Sequence, residues 1–329
     1  SCSSTPAIIG YYHLSRILGR VGRVPVAVLR SMDIETHKKL GNDAMKDIKD
    51  KTALIYQTWS GLMSNLNQGL KSAKKDQLLT DDGQQSYGGL IINPKKEEFY
   101  SDLFTKGTDR AQAFKSNNIV FGLVRSSRSL DAMFTSAWTQ DNVQKMYAMK
   151  DATEFILMDH IMDQQDRFGN IAEIEVTAYM AKDKAEDTSY ELQIEKDPAE
   201  YTKALAAGLV DPTRNKAFKI KSMVLKDNDC GVTKSNVVKA AGLIKEIRHM
   251  DPKTYKKLLE FQVSDPTNKN FFIQNLMFTQ TDYNEMIANL NDAVSTLKAN
   301  CKSGLLKLDL DVDYYLETGK VKVGSCDLQ

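Results

Sequence analysis

The chain of 329 residues has no apolar run approaching the roughly 20 residues that a helical membrane span needs. A protein that does not span the membrane is expected. Seven prolines and 18 glycines are too few for a linker-rich or low-complexity chain, and no repeat recurs at solenoid periods. Excess charge is also missing, since 44 Lys plus Arg face 43 Asp plus Glu for a net of +1. So balanced a chain has no global pull toward nucleic acid or an anionic bilayer. No nucleic-acid partner is expected. The histidines His13, His37, His160 and His249 show no ligand spacing to one another or to cysteine and read as helix-surface or core residues. Neither a Gly-x-Ser-x-Gly elbow nor a Gly-x-x-x-x-Gly-Lys loop occurs, which disfavours serine hydrolases and P-loop enzymes. Ser1–Thr5 lacks the basic start and apolar core of a signal peptide, though it is compatible with the stub left after one is removed.

Cysteine is scarce: Cys2, Cys230, Cys301 and Cys326. No pair lies two to four residues apart, so a structural zinc is not expected. Cys301 and Cys326 bracket the alternation Leu306, Leu308, Leu310, Val312, then Glu317-Thr318-Gly319-Lys320, then Val321 and Val323. That reads as a β-hairpin whose turn returns the two cysteines to each other. The alternative is a pair of buried thiols in a cytoplasmic protein. A bridge implies an oxidising setting, which means secreted, periplasmic or in the lumen of the secretory pathway. It would close a loop worth about 3 kcal/mol.

What the sequence does contain is mostly helical pattern. Ile8, Ile9, Tyr12, Leu14, Ile17 and Leu18 fit one helical face ending near Gly19 and Gly22, followed by a short strand from Val24 to Leu29. Residues 33–50 and 60–72 read as helical, and Asp76 to Pro94 as a polar loop or insertion with Asp82-Gly83, Gly88-Gly89 and Asn93-Pro94 as turn signals. Helical patterns resume over Phe99–Phe104, Ser129–Met149 and Asp151–Ile161. Ile171–Met180 and Tyr190–Ile194 alternate as strands around the charged tip Lys182–Asp187, and Phe218–Leu225 is a further strand. Then come helical patterns over Ser235–Met250, Pro252–Val263 and Phe271–Met277, and a last helix carrying Tyr283, Met286, Ile287, Leu290, Val294 and Leu297. Trp59, Trp138, Tyr56, Tyr147, Phe104 and Phe121 read as core aromatics. The whole is one α+β unit dominated by helices, with the middle strands forming a small platform.

Two polar breaks on that platform carry the chemistry. In Ile161-Met162-Asp163-Gln164-Gln165-Asp166-Arg167-Phe168-Gly169-Asn170-Ile171 a helix stops, turns through polar residues and enters a strand. Asp166 and Asn170, four apart in a loop, can point into one cavity, one accepting a proton from an attacking hydroxyl and the other holding a hard divalent cation. In Val224-Leu225-Lys226-Asp227-Asn228-Asp229-Cys230-Gly231 a strand emerges into two carboxylates and an amide, a donor set suited to Mg²⁺ or Mn²⁺, although Asp-Asn-Asp beside Gly is also good turn chemistry. Helix, Asp-Arg-x-Gly-Asn loop, strands, then Asp-x-Asp-x-Gly is the layout of a kinase C-lobe. Neither His-Arg-Asp nor Asp-Phe-Gly occurs, so the branch is atypical.

Asp166-Arg167-Phe168-Gly169-Asn170 resembles the Asp-Arg-His-x-x-Asn type loop of HipA-like and phosphoinositide-kinase-like enzymes. Tyr12-His13-Leu14-Ser15-Arg16-Ile17-Leu18-Gly19, followed by Arg23-Val24-Pro25, resembles the Phe-His-Leu-Asp-Arg-Ile-Leu-Gly and Val-Pro-Pro run of the secretory-pathway kinases, the Golgi casein kinase and xylosylkinase family. Asp227-Asn228 resembles the Asp-Asn-Gly of that family's metal-binding Asp. The resemblance implies a protein-kinase-like fold: residues 1–32 as an αC-like helix and following strand, the remnant of an incomplete N-lobe, and residues 33–329 as a helical C-lobe with insertions. It implies Asp166 as the catalytic Asp, Asp227 as ligand of the metal on the ATP phosphates, and Asn170 as the second metal-side ligand. Asp229 is carried with them as a metal-side carboxylate. Glu173 is a nearby carboxylate of open role, and Asp163 a hydrogen-bonding residue at the helix end. The cofactors implied are ATP with Mg²⁺ or Mn²⁺, and the acceptor a protein Ser/Thr or a glycan hydroxyl. The loop is one residue shorter than Asp-x-x-x-x-Asn, Phe168 stands where a His is expected, and residues 1–32 contain no acidic side chain. The phosphate-covering loop and the ATP-pairing Lys are therefore expected in an N-lobe ahead of Ser1, or else are lost or rebuilt elsewhere. A pseudokinase or effector scaffold is the alternative function.

Overall fold

Helix α1 (Thr5–Ile17) opens with a proline in its first turn, where a missing N–H leaves no bond unmade. It buries Ala7, Ile9, Tyr11 and Leu14. The turn that ends it needs Gly22, which is at φ +69° and would drive a Cβ to 2.5 Å from the Leu225 side chain. Strand β1 (Ala27–Asp33) starts three residues later than expected, because Pro25 has no N–H to give a ladder. The structure is a computed structural model and describes residues 4–92, 97–99, 109–134, 139–169, 171–211, 216–232, 235–263 and 265–327.

Asp33 caps the next helix, α2 (Ile34–Asp47), by accepting from the Thr36 N–H at 2.8 Å. It is followed by α3 (Leu54–Gln68), which starts six residues before the expected position, and by the short α4 (Lys75–Leu78). α2 and α3 approach closely at Gly41, where a Cβ would lie 2.4 Å from the Met63 sulfur. The expected loop from Asp76 is corrected over its described part. It contains strand β2 (Gln85–Ile91), paired antiparallel with β1 from Ala27 opposite Ile91 to Asp33 opposite Gln85. Gln-Ser-Tyr-Gly-Gly-Leu-Ile has no strand alternation of its own. Its partner lies three helices earlier in the chain, before α2, α3 and α4, so tertiary pairing overrides local pattern.

The second sheet is built on β4 (Ile171–Ala181). It pairs antiparallel with the short β3 (Glu97–Phe99) at Ala172–Ile174, with β5 (Glu191–Glu195) at Thr177–Ala181, and with β6 (Phe218–Leu225) along Ile171–Ala178. Phe99 thus belongs to a strand and not to the expected helix, whose remaining residues lie outside the described ones. Before β4 come α5 (Arg110–Asn117), α6 (Ile119–Val124), α7 (Leu130–Met133) and α8 (Gln140–Ile161). The two helices expected over Ser129–Met149 and Asp151–Ile161 are a short turn of helix and then one 22-residue helix. Its charged middle continues with Lys150 half-buried between Glu154 and Asp251, the Glu154 pair at 2.7 Å. From Asp151 to Ile161 every residue of α8 is buried, as in the central helix of a large core. Tyr147 and Phe121 sit in that core; Trp138 and Phe104 lie outside the described residues.

After β5 come α9 (Pro198–Ala206) and, beyond β6, α10 (Val237–Ala240), α11 (Pro252–Val263), α12 (Asp265–Asn270) and α13 (Gln280–Lys302). The helix expected over Ser235–Met250 is only α10 and one 3₁₀ turn, since the chain turns left-handed at Gly242. α13 starts on a capping box of Thr279 and Asp282 and buries Tyr283, Met286, Leu290, Val294 and Leu297.

The expected hairpin between Cys301 and Cys326 is corrected to a helix, α14 (Val312–Thr318). Asp311 caps it through the Tyr314 N–H, Gly319 ends it at φ 70°, and Val312, Tyr315 and Leu316 are buried at helical spacing. The cysteines meet all the same: Cys301 and Cys326 form a disulfide with Cα atoms 5.8 Å apart. Cys230 is also disulfide-bonded. Among the described residues no helix is long and apolar enough to cross a membrane.

Candidate active site

The first loop grows out of the buried end of α8. Asp163 takes a left-handed backbone at φ 52°, uncommon for a residue with a Cβ. Its Oδ1 accepts from Nδ2 of both Asn236 and Asn289 at 2.8 Å, and burial pushes its carboxyl up. It is the hydrogen-bonding residue expected there. Buried Gln164 accepts the Asp166 N–H on its side-chain oxygen at 3.0 Å, which fixes the backbone on which Asp166 stands. Phe168 is buried against Phe114 and Phe155, with ring centroids 5.2 and 6.1 Å away. At the position where a His was expected, this side chain anchors the loop into the core.

The second loop leaves β6. Asp227 is also left-handed, at φ 58° and ψ 46°, and a 3₁₀ turn over Asn228–Cys230 follows. Two backbone hydrogen bonds stitch the loops together: the Gln165 N–H donates to the Cys230 carbonyl at 3.0 Å and the Val232 N–H to the Met162 carbonyl at 2.6 Å. Gly231 is required at this crossing, because a Cβ would lie 2.9 Å from both the Met162 oxygen and the Tyr11 ring.

Arg167, with no exposed surface, ties these pieces together. Its Nε and Nη2 fork onto the two oxygens of Asp159 at 2.8 and 2.9 Å. Nη2 also donates to Asn228 Oδ1 at 2.6 Å, and Nη1 to the Lys226 carbonyl at 2.8 Å. The Tyr11 hydroxyl donates to Asp159 at 2.8 Å, and its ring lies 5.5 Å from the guanidinium. Burial works against the charge on Arg167, but the Asp159 carboxylate outweighs it and the guanidinium holds its proton more firmly than usual. Tyr11, Asp159 and the role of Arg167 are absent from the sequence reading. A signal existed for Asp159, a lone carboxylate in the apolar run Phe155 to Ile161, where a buried charge must have a partner.

The candidate carboxylates lie on this frame. Asp166 is exposed and lines a cleft of about 520 Å³ with Arg110, Gln112, Gln165, Phe168 and Val237. Asp227, also at the surface, borders a separate small notch with Ile8, Pro25, Ala27 and Ile91. Partial burial of its carboxyl, then the negative charges of Asp229 and Asp166, push the Asp227 carboxyl above the usual range. All three therefore share one electrostatic neighbourhood. Asn170 lies outside the described residues. Glu173 is in β4, opposite Met223, 4.0 Å from Lys221. Among the described residues no three His, Cys, Asp or Glu side chains are arranged to hold a metal ion by themselves. The donor chemistry nonetheless fits a hard divalent cation bridged by phosphate. A cation bound among these carboxylates would relieve the mutual repulsion that raises the Asp227 carboxyl. His249 is structural, buried between Asp309 and the Ser126 carbonyl at 2.9 Å each, and His160 contacts Asp292 at 2.9 Å.

No protein-family model matches the chain, and no curated protein matches it by sequence. Among solved structures it is similar to "crystal structure of the Golgi casein kinase with Mn/ADP bound", at 11% identity over 89% of this chain and 60% of that one, with a TM-score of 0.40. It is similar also to "Crystal structure of the golgi casein kinase", at 11% identity over 92% and 64%, with a TM-score of 0.42. The chain spans less than two thirds of the length of either.

Proposed function

We propose that the protein is a metal-dependent phosphotransferase that moves the γ-phosphoryl group of ATP to a protein Ser/Thr or a glycan hydroxyl. The observation that carries this reading is the joining of two loops by Arg167, which brings Asp166 and Asp227 into one neighbourhood while each borders a different recess. Asp166, at the larger cleft, orients the acceptor hydroxyl and takes its proton on a carboxylate oxygen. Asp227, with Asn170 and Asp229, would hold Mg²⁺ or Mn²⁺; when bound, such an ion neutralises the phosphate oxygens. The left-handed turn at Asp227 and the Gln164 bond under Asp166 hold both carboxylates before any substrate arrives. The disulfides support a secreted, periplasmic or luminal setting.

The test uses radiolabelled ATP with Mn²⁺ or Mg²⁺, and casein and a xyloside as acceptor probes. Asp166→Ala and Asp227→Ala should each lower transfer by about a thousandfold or more without unfolding the chain. Unchanged turnover in either variant overturns the assignment. A scaffold without catalysis is the second reading, favoured by the lack of any acidic residue in α1. A thermal shift with ADP and Mn²⁺ separates the two, because a specific ligand stabilises by mass action.

A further inference from the structure

We infer that Asp159, Tyr11 and Asn228 are positioning residues, which act through Arg167 to set the separation between the Asp166 loop and the Asp227 loop; the catalytic meaning of that separation rests on the phosphotransferase reading. Arg167 directly follows Asp166 in the chain. Its guanidinium grips the Lys226 carbonyl and the Asn228 side chain, the two residues that flank Asp227. One rigid fork therefore spans from the neighbour of one carboxylate to both neighbours of the other. Asp159 fixes the plane of that fork by accepting from Nε and Nη2 together, and Tyr11 fixes Asp159 in turn. Asn228 is held by its own Nδ2, which donates to the Leu225 carbonyl at 2.8 Å. Because Tyr11 belongs to α1, that helix is mechanically part of the site floor. A lysine could carry the charge of Arg167 but not its planar reach to three partners.

The test is made on the full chain with Arg167→Lys, Tyr11→Phe and Asn228→Ala. Two readouts are taken: amide hydrogen exchange without nucleotide, and kcat and KM for ATP with Mn²⁺. Exchange at Gln165 and Val232, whose N–H groups stitch the loops, should accelerate about tenfold, the equivalent of one or two lost hydrogen bonds. Amides of the central strand and of the long C-terminal helix should not change. A role in general stability alone would move all of them together. On the same reading kcat should fall about tenfold in Tyr11→Phe, with KM for ATP within twofold of the parent, as for an interaction that orients the reacting groups. Unchanged exchange at Gln165 and Val232 in folded variants overturns the inference, and so does uniform acceleration. If exchange responds locally but the parent chain neither binds Mn²⁺ with ADP nor transfers phosphate, the positioning stands and the phosphotransferase reading falls. Should Arg167→Lys fail to fold, the double variant Asp159→Asn/Arg167→Gln removes both buried charges at once and is read by the same two amides.

Discussion

Two regions meet at Asp227, and they are held together by different means. Below it, α8, α13 and the β4–β6 sheet share a single large core, and the loops of the candidate site are fastened into that core by Arg167, Asp163 and Phe168. Above it, the β1–β2 ribbon carries α2 and α3 around a satellite core of Ile34, Met63, Leu66 and Leu79, with Met45, Leu62 and Leu78 packed against it. The ribbon's outer face shows Val26, Val28, Leu90 and Ile92 to solvent. A two-stranded ribbon is marginal on its own. The difference predicts that the separation of the candidate carboxylates is set by the lower body, so that loosening of the upper unit, which reaches the large core through Ala27 and Ile91, leaves it unchanged.

The largest effect that would sharpen this contrast comes from the disulfide. Cys301 and Cys326 close a 25-residue stretch whose helix α14 packs against α8 and β4 in the lower body. Opening that loop with Cys326→Ser should cost about 3 kcal/mol by chain entropy. Urea unfolding should show one cooperative transition moved to lower denaturant with its slope little changed. A variant that loses only local order around α14 would mean that the lower body is not one cooperative unit.

The buried carboxylate of Asp151 offers the next test. It accepts from the Met223 N–H at 2.8 Å and the Ser222 hydroxyl at 3.1 Å, tying α8 to β6. Burial first, and then the charge of Glu154, raise its carboxyl to about 7, with Arg23 acting in the opposite sense. A group whose folded pKa is raised contributes stability that is fully present below its unfolded pKa and is lost as pH rises through the folded one. The window therefore runs from the ordinary carboxylate range up to about 7. Asp151→Asn stays neutral throughout, so its stability relative to the parent should improve between pH 5 and 8 by roughly 2 kcal/mol. Denaturation midpoints that run parallel across that range would show that Asp151 is ionised in the folded chain at all these values.

Much of the lower body is legible in the sequence. The helix Pro252–Val263 and the last long helix follow from period, because each buries one regular face of a common core, and the strands at Ile171 and Phe218 follow from short apolar-rich runs, the first of them buried on both faces. The upper unit is less legible. β2 is a strand only because β1 is there to pair with it. The segment between the bridged cysteines shows a further limit. Leu306, Leu308, Leu310 and Val312 alternate, yet Asp311 and Gly319 are also a cap and a stop, and the helix they delimit is what forms. At the site, Asp166 and Asp227 are legible from polar breaks at the ends of regular elements. Tyr11 is not, because its partner is 148 residues away, and Asp159 is marked only as a lone carboxylate in an apolar run, with no periodic trace that points to Arg167 as its partner.

The smallest effect tests the upper unit directly. Ile34→Val removes one methyl group from the satellite core, and truncations of this kind cost about 1 kcal/mol. In a unit that opens by itself, that loss should appear as roughly fivefold faster amide exchange throughout α2 and α3, since the opening free energy falls by the full amount. Protection in α13 should be unchanged, because opening of the upper unit does not expose it. Gln165 and Val232 should also be unchanged, since Arg167 holds their loops from below. Acceleration that spread to those two amides would show that the ribbon bears on the site after all, and the separation of Asp166 from Asp227 would then depend on both regions.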